Sequence, residues 1–450
     1  MKKLERRAII SLLLAAFLFL GLVFFCFRFV VNGSEWASFP ANRHLFADGA
    51  LDRGSIYDAN GNLLLQNTES GAIYHDDQSI RKATLHVVGD VAGNISTGAE
   101  TKFAGKLTGY NFINGTYAKN SEGRNLYLTI DADVCKAAYA ALDGRSGTVG
   151  VYNYKTGEIV CLVSSPSYDP NQGIDSASAA EDGYYINRFF SAAFVPGSTF
   201  KTVTAAAVID QMDGYEGWSY ACTGSYTLGN DTITCPSVHG DVDFEDALCV
   251  SCNCAFANLT LSLGADTMRD YVNQLGLTKS YAINGITTKA GSFSFSEDHE
   301  ADLAWAGIGQ SEDLVNPCSM MIYMGAIANR GRVVVPQIVS SVKTAGNFPL
   351  SIYLPKPRTK LISSNTAAIL KAMMRNNVVN NYGEGGLSGY NLCAKSGTAE
   401  VGDGTSHAWF VGFLDSEENP YAFVVLVERG GSGAKVAGSV ANTVLQAIVN

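Results

Sequence analysis

A chain of 450 residues is long for one hydrophobic core, so a main domain of roughly 300 residues with a smaller companion is expected. Its 47% hydrophobic and 16% charged residues exclude a disordered or low-complexity chain. A formal net charge of -10, with no cluster of Lys and Arg beyond the N-terminus, excludes a nucleic-acid surface.

Lys2, Lys3, Arg6 and Arg7 precede an apolar run from Ala8 to Val31 that only Arg28 interrupts. That length crosses a bilayer. Positive charge ahead of it predicts a cytoplasmic tail at 1–7, one transmembrane helix at 8–31, and everything after about residue 32 outside the membrane. A cleaved signal peptide fits less well, because the run exceeds a signal core of about 7–15 residues and no small-x-small site follows. From 32 to 125 the sequence is polar and Gly-rich, with Arg53-Gly54-Ser55-Ile56-Tyr57-Asp58-Ala59-Asn60-Gly61 near its start. It reads as a small pedestal with a β-turn at Asn60-Gly61.

A compact domain is expected over 126–450. Leu126 to Ile130 alternates like a strand, and Asp131 caps a helix whose Val134, Ala138, Ala141 and Leu142 share one face before Gly144. Thr148 to Tyr154 and Glu158 to Val163 are β-rich runs joined by Lys155-Thr156-Gly157, a hairpin by composition. Helical patterns follow at Ser198 to Met212, Asp243 to Leu263, Ala265 to Leu275 and Pro317 to Asn329. Strands return at Leu392 to Glu400, His407 to Leu414 and Tyr421 to Glu428, and Lys435 to Val449 closes as an apolar helix. Strands at both ends with helices between them imply an α/β chain of the α+β type, with one mostly antiparallel sheet split by a helical excursion.

Of the ten cysteines, Cys26 falls in the apolar span, and those outside the membrane are free to pair. Cys222 and Cys235 flank a turn-like Gly224 to Gly229 segment, which suits a stapled hairpin. Cys249, Cys252 and Cys254, with Cys235 and His239 nearby, also permit zinc, but their spacing fits no well-formed signature and no metal or cofactor is expected.

Ser198 opens its helix after Pro196-Gly197, so its backbone N–H sits at a helix N-terminus where negative charge is stabilised. Lys201 follows one turn later on the same face and can reach the hydroxyl. A serine needs a base, and a desolvated lysine beside a second cation can be one. Ser-x-x-Lys alone carries no weight, since Ser79/Lys82, Ser340/Lys343 and Ser432/Lys435 fit it too. Ser251-Cys252-Asn253 and Lys395-Ser396-Gly397-Thr398 follow in order, yet Ser340/Lys343, Ser363-Ser364-Asn365 and Lys395 form a rival ordered triple. Context separates them: Ile338 to Lys343 reads as a β-run, whereas Ser198 and Lys201 fall on a helix.

These three motifs in this order resemble those of penicillin-binding proteins and serine β-lactamases. Phe194 to Lys201, Asn187-Arg188, Arg53 to Gly61, Gly307-Ile308-Gly309-Gln310, Val315-Asn316-Pro317 and His407 to Phe413 resemble class B penicillin-binding proteins more specifically. The resemblance implies a penicillin-binding transpeptidase domain that cross-links peptidoglycan stem peptides through a Ser198 acyl-enzyme and is a target of β-lactams. In that family Lys201 takes the Ser198 proton, Ser251 and Asn253 relay protons and hold the substrate amide, and Lys395 is the second cation. Ser396 and Thr398 bind the terminal carboxylate, Gly397 admits the substrate backbone, and the Ser198 and Thr398 N–H groups form the oxyanion hole. Lipid-linked precursor in the membrane and a separate glycan polymerase are the implied partners. Only Ala399 to Ser406 separate two strands, a shorter connection than typical members carry. The alternatives are a D,D-carboxypeptidase or β-lactamase, or a catalytically silent scaffold of a cell-wall synthesis complex.

Overall fold

The computed structural model describes residues 2–37, 53–68, 71–108, 123–175, 177, 179, 182–355 and 359–450. Parts of the expected pedestal, 38–52 and 109–122, therefore lie outside the described residues. The first helix, Lys2–Ala37, contains a stretch from Lys3 to Gly33 long and apolar enough to cross a membrane.

The central sheet is antiparallel throughout, in the order Leu392–Glu400, Ser406–Leu414, Tyr421–Val427, Gly147–Asn153, Ile159–Ser165. Strands from the two ends of the domain thus meet in its middle, with Val149 opposite Val425. Tyr421–Val427 is apolar at all seven positions and buried at six, the pattern of a strand covered on both faces. Helix Pro317–Ala328, buried along its whole length, packs across the sheet. Helices Ala132–Leu142 and Gly438–Val449 pack on each other and also against the sheet. Asp131 caps the former as expected, its carboxylate accepting from the Asp133 and Val134 N–H groups.

A second sheet runs Pro349–Ile352, Val339–Lys343, Asn125–Leu128, Ile56–Tyr57, Leu63–Thr68, Gly71–Tyr74. The turn at Asn60-Gly61 is present, with Gly61 at φ +84° and the Asp58 carboxylate accepting from the Asn60 and Asn62 N–H groups. This sheet also disposes of the rival motif triple. Ser340 and Lys343 lie on a strand, where the Ser340 hydroxyl donates to Tyr127 O at 3.1 Å and the Lys343 ammonium sits 3.8 Å from the Tyr127 ring centroid. Ser363 caps the helix Ser364–Asn377.

Three expectations need correction. The helix expected from Ser198 begins instead with a 3-10 turn, Gly197–Thr199, and becomes regular only over Lys201–Gln211. The helix expected from Asp243 to Leu263 is broken into Phe244–Cys249 and Asn253–Leu263, because Ser251 turns left-handed at φ +57° and the Cys252 side chain caps the second piece. The excursion between the sheet halves also carries short strand pairs, Ser219–Cys222 with Gly240–Asp243 and Ser225–Leu228 with Asp231–Thr234.

Candidate active site

The turn carrying Ser198 is fastened from several sides. Gly197 N–H donates to Gly309 O at 2.8 Å, Thr199 Oγ1 to Pro196 O at 2.8 Å, and the Trp409 indole to Val195 O at 2.9 Å. Gly197 has φ +55°, and a Cβ there would meet Thr398 O at 2.8 Å. A Cβ on Gly397 would meet Pro196 O at 2.8 Å and Thr199 Cγ2 at 2.9 Å. The two glycines let the Ser198 turn and strand Leu392–Glu400 come into backbone contact, which no side chain would allow. Gly397 was expected to admit a substrate backbone; the face on which its side chain would stand is filled by the nucleophile turn.

Lys201 stands on the first turn of its helix and is fully buried. Its ammonium donates to Ser251 O at 2.7 Å, Ser251 Oγ at 3.2 Å and Asn253 Oδ1 at 2.6 Å. Its three donors are thereby used, and the expected contact with the Ser198 hydroxyl is not among the hydrogen bonds of the described residues. Lys395, also fully buried, reaches the same Ser251 Oγ at 3.0 Å from the opposite strand. Ser251 Oγ is thus the common partner of both lysines. Asn253 has both amide atoms occupied, since its Nδ2 donates to Thr234 O at 2.7 Å. It positions Lys201 instead of presenting a free amide.

Of the remaining motif residues, Thr398 is exposed and accepts the Gly433 N–H at Oγ1, 3.2 Å away. Ser396 Oγ donates to the Tyr382 hydroxyl at 3.0 Å, and Ser396 N–H donates to the same oxygen at 3.1 Å. Tyr382, on the π-turn Val378–Tyr382 that ends the helix before this strand, also lies 3.5 Å from the Lys395 ammonium. No motif in the sequence marks Tyr382; only the packing of that turn on the strand brings it in.

The electrostatics follow from burial. Lys201 and Lys395 have no carboxylate partner among the described residues. Desolvation, with the Lys395 charge added, drives the Lys201 pKa well below the usual lysine value. Burial alone pushes Lys395 down to about 7. Such a site can hold a neutral amine beside a hydroxyl at neutral pH, which is what activation of a serine requires. Other segments singled out in the sequence support this frame: Asn316 Nδ2 donates to Ala192 O at 2.7 Å, and Arg188 pairs with Glu428.

Comparison with known proteins gives concordant results. The family model described as the penicillin binding protein transpeptidase domain matches residues 147–449. The chain is similar to peptidoglycan D,D-transpeptidase PbpA of Mycolicibacterium smegmatis, 28% identical over 347 residues that cover 71% of this chain and 70% of the relative. Among solved structures, penicillin-binding protein A from M. tuberculosis as its penicillin G acyl-enzyme complex matches with TM-score 0.77 at 25% identity, covering 89% of this chain and all of that one. PBP2 from Pseudomonas aeruginosa matches with TM-score 0.73 at 26% identity, covering 88% of this chain and 96% of that one.

Proposed function

Because the chain belongs to the penicillin-binding protein transpeptidase family, we propose that Ser198 is the nucleophile of a peptidoglycan D,D-transpeptidase that β-lactams also acylate. One observation carries the assignment of roles: Ser251 Oγ takes hydrogen bonds from Lys201 and Lys395 together, next to the turn that holds Ser198.

In the first half-reaction the neutral Lys201 amine keeps two N–H bonds to the Ser251 and Asn253 oxygens and turns its lone pair to the Ser198 hydroxyl. Ser198 Oγ bonds to the carbonyl carbon of the penultimate D-Ala, and the proton passes to Lys201. Negative charge on the carbonyl oxygen is held by the Ser198 and Thr398 N–H groups, which the Gly197 and Gly397 contacts bring together. Ser251 gives its hydroxyl proton to the departing D-Ala nitrogen as the C–N bond breaks and takes the proton held by Lys201 in its place. An acceptor amine from a second stem then attacks the ester, and the same relay runs in reverse. Leu392–Glu400 is an edge strand, so its free backbone groups can pair with an extended peptide as one more strand.

The Lys3 to Gly33 segment anchors the enzyme in the membrane with its N-terminus inside. Residues 32–125 form the pedestal and 126–450 the catalytic domain, with Val339–Lys343 and Pro349–Ile352 extending the pedestal sheet. A separate membrane polymerase supplies the glycan strand.

The full chain, incubated with fluorescent penicillin, should retain a label on the peptide containing Ser198, and Ser198→Ala should lose it, a drop of at least about 10⁴-fold. With polymerised precursor, dimeric stem peptides should exceed free D-Ala formed by hydrolysis. Rapid shedding of the label by hydrolysis, or labelling that survives Ser198→Ala, would overturn this reading.

A further inference from the structure

A second cluster of reactive side chains lies beside the second motif. Cys222 ends strand Ser219–Cys222, Cys235 follows Asp231–Thr234, His239 precedes Gly240–Asp243, and Cys252 caps Asn253–Leu263. One ligand atom from each lies within 4.8 Å of all the others. Cys222 Sγ is 3.8 Å from Cys235 Sγ and 3.5 Å from His239 Nδ1, and Cys235 Sγ is 3.7 Å from Cys252 Sγ. Tetrahedral zinc with Zn–S near 2.3 Å and Zn–N near 2.0 Å has S···S edges of about 3.8 Å and S···N edges of about 3.5 Å. The three separations are those edges.

We propose that Cys222, Cys235, His239 and Cys252 bind one Zn²⁺ in a closed tetrahedral site, and that the ion positions the second active-site motif.

Cys254 supports the ligands without joining them. Its N–H donates to Cys235 Sγ at 3.4 Å, its sulfur lies 3.4 Å from the same Sγ and is directed at Ile233 O 3.8 Å away, and Ala255 N–H donates to Cys252 Sγ at 3.4 Å. Donors of this kind orient ligand thiolates. On binding, three thiols release their protons to water, the ion loses its waters, and no electron moves. The linear spacing conceals the site because two strand pairings fold between its ligands.

The consequence for the motif is geometric. Cys252 is the middle residue of Ser251-Cys252-Asn253, Ser251 holds a left-handed backbone at φ +57°, and Asn253 Nδ2 is tied to Thr234 O beside Cys235. An ion bridging Cys235 and Cys252 clamps the motif to the strands, and through Ser251 and Asn253 it holds the Lys201 amine in place.

The metal content stands independently of the transpeptidase reading; only the positioning effect rests on it. The full chain in detergent should carry about one zinc by plasma mass spectrometry, and exchange with Co²⁺ should give thiolate-to-cobalt absorption. Cys235→Ser and the half-buried His239→Ala should each lose the metal, while Cys249→Ser keeps it. With unchanged circular dichroism, the metal-free variants should be acylated by fluorescent penicillin at least about tenfold more slowly. A zinc-free wild type, a Cys222–Cys235 disulfide found by peptide mapping, or zinc retained in both variants would overturn the site. Undiminished acylation of metal-free protein would overturn the positioning effect. A zinc-loaded wild type that penicillin never labels would sink the transpeptidase reading and leave the metal site standing.

Discussion

Arg53, in the expected pedestal, pairs with Glu100, and Arg81 there grips Asp169 of the main domain through two hydrogen bonds of 2.8 and 2.7 Å, whereas Lys201 and Lys395 are more deeply buried. Among the described residues the two lysines hydrogen-bond to neutral oxygens with no carboxylate partner, the Phe256 ring lying 5.8 Å from the Lys201 ammonium. The Arg81–Asp169 pair holds helix Gln78–Val88 to the loop after Ile159–Ser165, and each charge favours the ionised state of the other. The unpaired lysines are pushed toward neutrality, at a cost in stability that the surrounding fold sustains. The same physical operation, removing a cation from water, builds a clamp at one place and a base at the other.

The sharpest test removes Lys201. Lys201→Met should slow acylation by about 10³-fold while the melting temperature stays level or rises, since an unpaired buried amine gives way to an apolar chain. A large fall in melting temperature would erase the contrast with the pedestal. Asp169→Ala should do the reverse, costing about 3 kcal/mol in denaturant unfolding and leaving the acylation rate of the folded fraction unchanged. The wild-type pair adds a pH signature. The Arg81 guanidinium holds the Asp169 carboxyl down to about 2, so its stabilisation is complete above the ordinary value of 3.8 and is lost as pH falls toward 2.

The active site should respond to pH in a different range. Lys201 must lose a proton to act, so acylation should rise with pH along a limb set by its lowered pKa. In Lys395→Met the second cation is gone, the Lys201 pKa rises, and that limb should move up by about one pH unit. An unmoved limb would show that burial alone tunes Lys201. The smallest effect belongs to Tyr382→Phe, which removes the oxygen that receives Ser396 N–H and Oγ. About tenfold in acylation, with the pH limb in place, would mark Tyr382 as a positioning residue.

Several features are legible in the sequence alone. The cap at Asp131, the turn at Asn60-Gly61 and the strands around Lys395 follow from local rules of capping, turn chemistry and alternation. The break at Ser251 is not, because a helical pattern from Asp243 to Leu263 carries no sign that its middle will turn left-handed. Tyr382 carries no motif, and the sequence names Cys222, Cys235, His239 and Cys252 among its candidates without showing that these four converge, because the turns and strand pairings between them set the geometry.

The sequence by itself determined the order of the three motifs, the apolar N-terminal segment and the central sheet with its flanking helices, since each is written in short-range pattern. The tertiary structure decided that Lys201 would bond to Ser251 and Asn253 and not to Ser198, that Gly397 would make room for the nucleophile turn, and that two lysines would share one hydroxyl. Those outcomes depend on how a broken helix, an edge strand and a 3-10 turn are packed together, and long-range packing leaves no periodic trace along the chain.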